Sequence, residues 1–168
     1  TNDNSTSVGY AGISYIKNSS SIIKNQKLDA YSRRILQLTF NHNNFIMPYL
    51  HIKDITGCFV TIRKNKQLRG CIGTFNANKN ILNSIKDMTL NAAFHDERFN
   101  PITSDELASL EFEVTLLRQP FHINLTDIND RFVTGLHGIT IKFTDNVSAT
   151  YLAEVMIESF NMSVNEKL

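Results

Sequence analysis

The sequence has no clustered charge of either sign. Lys and Arg number 17 against 16 Asp and Glu, and no run of like charge stands out. Binding to nucleic acid or to an anionic membrane surface rests on clustered basic residues, so neither is expected as a partner. Long apolar runs are also missing. No stretch reaches the roughly 18 uninterrupted apolar residues of a membrane-spanning helix, and the chain does not open on the basic, apolar, small-residue pattern of a secretory signal. The cytoplasm is the default location on that reading. Cysteine is scarce: Cys58 and Cys71 are a single pair, which outside the secretory route is expected to stay reduced. His51, His95 and His122 make no metal-ligand spacing with either of them, so neither a metal nor another cofactor is expected.

With 42% hydrophobic and 20% charged residues, the 168 residues are sufficient for one compact domain, or a domain with a small subdomain. The chain begins at Thr1. A strand-like apolar run, Val8 to Ile16, lies between Asn/Ser-rich stretches of linker character. Residues 1–21 are therefore expected to be an N-terminal segment or linker. One reading makes the run an edge strand or loose arm; the other makes it the last strand of a preceding domain. From Gln26 the pattern becomes regular. Leu28, Tyr31, Ile35 and Leu38, with His42 at the end, recur at three- and four-residue steps and predict an amphipathic helix over about 26–42. "GCFVTIR", a polar "KNK" turn and "QLRGCIGTF" predict a β-hairpin. A second helix carries Ile81, Ile85, Met88 and Ala92 on one stripe. Thr103 and Glu106 have the spacing of a capping box before the alternating strand "LEFEVTLL", and "HGITIKF", "TDN" and "SATYL" predict a second hairpin. "AEVMIESF" reads as a closing helical turn. Hairpins joined by single helices give an α+β fold with a mainly antiparallel sheet and flanking helices.

The octapeptide "LRGCIGTF", followed by "AAFHDERF", "LEFEVTLL" and "GLHGI", resembles the AMMECR-one family, named for a human syndrome of Alport nephropathy, midface hypoplasia, intellectual disability and elliptocytosis. The resemblance runs from about Leu28 to the end, and the domain is placed at 22–168. It implies a larger α+β portion and a smaller strand-rich portion, with the cysteine motif beside a cleft. It also implies an intracellular protein whose prokaryotic relatives are often encoded beside, or fused to, a Memo-like protein and a radical-SAM enzyme, with no reaction established. Two departures stand out. Family domains usually continue through a further helix and strand, so the domain reads either as truncated at its C-terminus or as unusually short, and in "HDERF" only Asp96, Arg98 and Phe99 match the family pattern. The opening segment resembles the closing strand of a Memo-like domain.

Within the motif, strand alternation puts Arg69, Cys71 and Gly73 on one side and Leu68, Gly70 and Ile72 on the other, which sets Arg69 beside the thiol. A free cysteine is only about 3% ionised at pH 7, and a neighbouring cation that lowers its pKa by about one unit raises this to roughly a quarter. Gly70 and Gly73 would let a ligand or another backbone approach closely. The candidate catalytic residues are Cys71, Arg69 and His137, the last as general base, with Gly70, Gly73, Asp96 and Arg98 as candidate substrate-binding residues. Each has a plain structural alternative. Cys71 would be a buried packing residue, the glycines a bulge or tight contact, Asp96 and Arg98 a loop-fixing salt bridge, and His137 a partner of the backbone. Three function classes remain: an enzyme or accessory subunit acting on an unknown small molecule through Cys71, a non-catalytic module docking a Memo-like protein, and, weakest, an RNA-binding module.

Overall fold

The computed structural model describes residues 10–14, 19–44, 46–122, 137–144 and 147–152. By compactness the chain divides into two units, Lys17–Leu117 and the combination of Thr1–Ile16 with Arg118–Leu168, each built on its own sheet. The architecture is α+β with antiparallel strand pairing, as the alternation of hairpins and single helices predicts.

In the first unit, helix α1 (Ser19–Phe40) begins before the predicted start at Gln26. Ser and Asn are only modestly poor helix formers, so a polar stretch can extend a helix that packing stabilises. Its end is fixed by a Schellman motif: His42 adopts φ 51°, His42 N–H donates to the Thr39 carbonyl and Asn43 N–H to that of Leu38. His42 thus closes the helix and is exposed, and does not extend its apolar stripe. Strands β2 (Ile55–Lys64) and β3 (Gln67–Thr74) form the expected hairpin. The two residues between them, Asn65 and Lys66, have φ of 52° and 66°, the double left-handed conformation of a type I′ turn, whose twist matches that of the strands it joins.

Helix α2 (Ile81–Phe94) starts where the Asn80 side chain accepts from Leu82 N–H. The same oxygen accepts from Leu50 N–H at 3.0 Å, and Asn80 Nδ2 donates to the Pro48 carbonyl at 3.0 Å, which anchors the incoming loop to the helix start. A short 3-10 helix (Ser104–Ser109) leads into β4 (Leu110–Arg118), and Glu106 accepts from Thr103 N–H as the capping-box spacing requires. The sheet order is β3-β2-β4. Cys58, Val60 and Ile62 of β2 are fully buried with Leu36 of α1, Ile85 of α2 and Val114 of β4, so one sheet face is covered by the two helices.

The second unit is a four-stranded sheet in the order β5-β1-β6-β7, comprising β1 (Tyr10–Ser14), β5 (Phe121–His122), β6 (His137–Thr144) and β7 (Val147–Tyr151). Strand β1 is antiparallel to both β5 and β6, so part of the opening apolar run is an interior strand of this sheet. The β6–β7 hairpin forms as expected, while "AEVMIESF" lies outside the described residues. Among the described residues, no helix is long and apolar enough to cross a membrane.

Candidate functional site

The side of the first unit's sheet away from the helices is set by β2, where Phe59, Thr61 and Arg63 alternate with the buried Cys58, Val60 and Ile62. Across the hairpin Thr61 faces Cys71 and Phe59 faces Gly73, which puts Cys71 and Gly73 on this outer side, as alternation predicts. The alternation then breaks. Ile62 pairs with Gly70 but the next residue, Arg63, pairs with Leu68, so Arg69 is an extra residue, a β-bulge. Leu68 is thereby moved to the Arg63 side, whereas strand alternation puts it with Gly70 and Ile72, and it is 36% exposed. Cys58 and Cys71 are both free thiols on opposite sides of the hairpin.

The bulge also releases Arg69 from its expected place beside the thiol. Its Nε and Nη2 form a fork with the Glu106 carboxylate at 3.1 and 3.0 Å, while Nη1 and Nη2 donate to the carbonyls of Asn100 (2.8 Å) and Pro101 (3.3 Å). Lys64 Nζ joins the same carboxylate at 3.0 Å. Arg69 chiefly, with Thr103 N–H and Lys64, holds Glu106 down at about 2. Arg69 therefore locks the hairpin to the 3-10 helix, and it is not among the charges acting on Cys71.

The residues that do surround Cys71 are Asp96, Arg98 and Thr61. As an edge strand, β3 presents the N–H and C=O of Cys71 outward, since a residue in a non-hydrogen-bonded pair turns both away from its partner. Asp96 Oδ2 accepts from Cys71 N–H at 2.8 Å and Arg98 Nη2 donates to the Cys71 carbonyl at 3.1 Å. The two side chains are themselves joined through Nε to Oδ1 (2.9 Å) and Nη2 to Oδ2 (2.7 Å). A carboxylate and a guanidinium thus stand where the backbone of a further strand would. Arg98, foremost, and the Cys71 and Arg98 backbone N–H groups hold the Asp96 carboxyl at about 2 against its burial.

The thiol behaves differently from the expectation of an activated nucleophile. Its sulfur lies 3.2 Å from Thr61 Oγ1. Burial pushes its pKa up, and Asp96 adds to that; the Thr61 hydrogen bond, Arg98 and Arg63 oppose the rise without reversing it. Cys58, deeper still, is pushed up to about 12 by burial and by Asp87.

The two glycines have packing reasons. A Cβ on Gly70 would lie 2.1 Å from the Ala92 carbonyl oxygen, so α2 rests directly on the β3 backbone there. A Cβ on Gly73 would meet the Phe59 ring at 2.2 Å; that ring covers the glycine and contacts Phe75 edge-on, with centroids 5.4 Å apart. Arg69, Gly70, Cys71, Gly73, Asp96 and Arg98 all belong to the first unit, whereas His137 begins β6 of the second. Its ring packs edge-on against Phe121, and burial lowers its pKa. The outer-face residues that alternation alone would have supplied are Thr61 and Arg63, cross-strand neighbours of the motif. Glu106 is the partner that its position 37 residues beyond Arg69 concealed.

The AMMECR1 family profile matches residues 19–168. The chain belongs to the AMMECR1 family. It is 40% identical over 88 residues to a protein of Methanosarcina acetivorans, covering 51% of this chain and 44% of that one. An uncharacterized protein of Schizosaccharomyces pombe is 44% identical over 99 residues, covering 56% of this chain and 48% of its own length. An uncharacterized Arabidopsis thaliana protein is 40% identical over 107 residues, covering 58% and 48%. The matched stretch is thus about half the length of these relatives. Among solved structures, that of an uncharacterized protein from Pyrococcus horikoshii superposes with a TM-score of 0.68 at 23% identity, covering 80% of this chain and 71% of that one. That likeness shows a shared fold.

Proposed function

We propose that this AMMECR1 chain is a recognition module of the cytoplasm, which docks a partner on the outer face of its three-stranded sheet around Cys71 without using the thiol as a nucleophile. The observation that carries this reading is the state of Cys71. Its N–H and C=O are held by Asp96 and Arg98, its sulfur is hydrogen-bonded to Thr61, and burial raises its pKa. A thiol nucleophile needs the opposite environment, one that favours the thiolate. The partner class implied by the family resemblance is a Memo-like protein, with a radical-SAM enzyme as a further associate. Phe59 and Phe75 supply the aromatic element that such an interface uses as an anchor.

The alternative, catalysis on a small molecule through Cys71 with Arg69 and His137, is tested by the same experiments. Alkylation of Cys71 by iodoacetamide, followed by mass, is expected to be slow at pH 7 and to accelerate past pH 9, with the buried Cys58 as internal reference. Fast alkylation that has levelled off below pH 7 would support the enzyme reading. Calorimetric titration with a Memo-like protein is expected to give binding that Cys71→Ser preserves and Phe75→Asp weakens. Absence of binding at 100 μM of each protein would remove this partner.

A further inference from the structure

We infer that Arg98 is a docking point for an oxyanion, a carboxylate or a phosphate, on the outer sheet face; this rests on the recognition-surface reading and names the chemistry that the surface selects. The argument is an inventory of donors. A guanidinium carries five N–H groups in one rigid plane. In Arg98, Nε is spent on Asp96, and the two N–H groups of Nη2 on Asp96 and on the Cys71 carbonyl. The remaining two, both on Nη1, have no partner among the described residues, although the side chain is 56% exposed.

Arg69 in the same motif shows the contrast. Each of its nitrogens has a partner, four of its five N–H groups are engaged, and its side chain is only 17% exposed. Arg98 is instead fixed from one side and open on the other. Asp96, only 4% exposed, holds the plane; the Phe99 ring lies 5.5 Å from the guanidinium carbon. The rotamer entropy that an exposed arginine normally loses on binding has therefore been lost already on folding. Carboxylate and phosphate share the required property, an anionic oxygen that accepts charge-assisted hydrogen bonds.

The test is a nuclear magnetic resonance titration of the full isotope-labelled chain at pH 7 with inorganic phosphate and, separately, with acetate, ionic strength being held constant with sodium chloride. The expected result is a saturable shift of the Arg98 Nε–H and the Cys71 amide, half complete at about 10 mM, with the two arms separating phosphate from carboxylate. Arg98→Gln should weaken that response about tenfold. A drift that neither saturates nor exceeds the chloride control, or saturation centred elsewhere, overturns the inference, and the wild-type resonances decide this even if the variant folds poorly. An anion response without Memo-like binding would remove the partner while keeping the oxyanion site; partner binding without an anion response would do the reverse.

Discussion

Asp96 is the residue on which the largest number of interactions around Cys71 converge, so Asp96→Asn is the sharpest perturbation. The carboxyl is held at about 2 where 3.8 is usual. At about 1.4 kcal/mol per pH unit, that difference makes the charged form worth about 2 kcal/mol to the folded state at neutral pH. Asparagine also turns one acceptor oxygen into a donor, which must then face either Cys71 N–H or the Arg98 guanidinium. One unsatisfied contact of this kind adds about 1 kcal/mol. A total of about 3 kcal/mol corresponds to a fall of roughly 6–12 °C in the thermal midpoint for a chain of this size. The pH dependence has a definite sign. A carboxyl depressed in the folded state contributes its full stability above the unfolded value of 3.8 and loses it as pH falls through about 2. Calorimetry of wild type and variant at pH 7, 4, 3 and 2 should therefore show a gap that is full at pH 7 and narrows below pH 4. A variant melting within 1–2 °C of wild type at pH 7, or a gap independent of pH, would refute the assignment of Asp96 as the closing group of the β3 edge.

Other outcomes follow from the same geometry. Glu106→Gln, which removes a carboxyl held at about 2 where 4.5 is usual, should destabilise by about 3 kcal/mol at pH 7 and progressively less below pH 4.5 in urea titrations. Gly70→Ala should cost several kcal/mol, because the Ala92 carbonyl that its Cβ would meet is helix backbone and cannot swing aside. Gly73→Ala should be costly in the wild type and nearly neutral in a Phe59→Ala background, a coupling readable in a double-mutant cycle. Lys66→Gly should raise stability by about 1 kcal/mol, since a left-handed conformation at φ 66° costs lysine and not glycine. Removing residues 1–16 takes β1 from between β5 and β6 and should lower the midpoint by more than several degrees, whereas a dispensable leftover strand would leave it unchanged.

How far the sequence could be read depended on whether the controlling interaction was local. The hairpin, α2 and the capping box were legible because period-2 and period-3.6 patterns and the Thr103–Glu106 spacing are set by neighbours a few residues away. Alternation correctly put Cys71 and Gly73 on one side. It failed at Arg69, because a bulge inserts one residue and inverts the parity beyond it; Arg69 is held out by Glu106, Asn100 and Pro101, more than 30 residues later. The pairing of Asp96 and Arg98 was legible as a salt bridge. What they pair with was not, since the Cys71 peptide is 25 residues distant and carries no side-chain signal for it. The shift of the thiol runs opposite to the one a neighbouring Arg69 would give for a related reason: that cation is engaged elsewhere, and burial, a tertiary property, raises the pKa.

The other edge of the same sheet clarifies what the Cys71 arrangement is for. On β4, Val114 N–H donates to Asp29 Oδ1 at 2.7 Å, and Arg33 donates to the carbonyl of Leu110 and, at 2.9 Å, to that of Leu107 in the preceding 3-10 helix. Asp29 and Arg33 are four residues apart on α1 and so lie on one helical face. At each free edge of the three-stranded sheet a carboxylate thus takes one backbone N–H and a guanidinium takes one strand carbonyl, that of Cys71 on β3 and of Leu110 on β4, which blocks strand addition at those positions. The two closures differ in what remains. Arg33 directs both terminal nitrogens at carbonyls and lies 5.1 Å from the Phe112 ring. Arg98 does the same work with one terminal nitrogen, and its other has no partner among the described residues. Edge protection alone explains Asp29, Arg33 and Asp96, but it leaves Nη1 of Arg98 unused. A guanidinium held rigid at the Cys71 peptide, with one terminal nitrogen that has no partner among the described residues, is a feature by which β3 differs from β4, and it makes the Cys71 side of the sheet the one to probe with ligands.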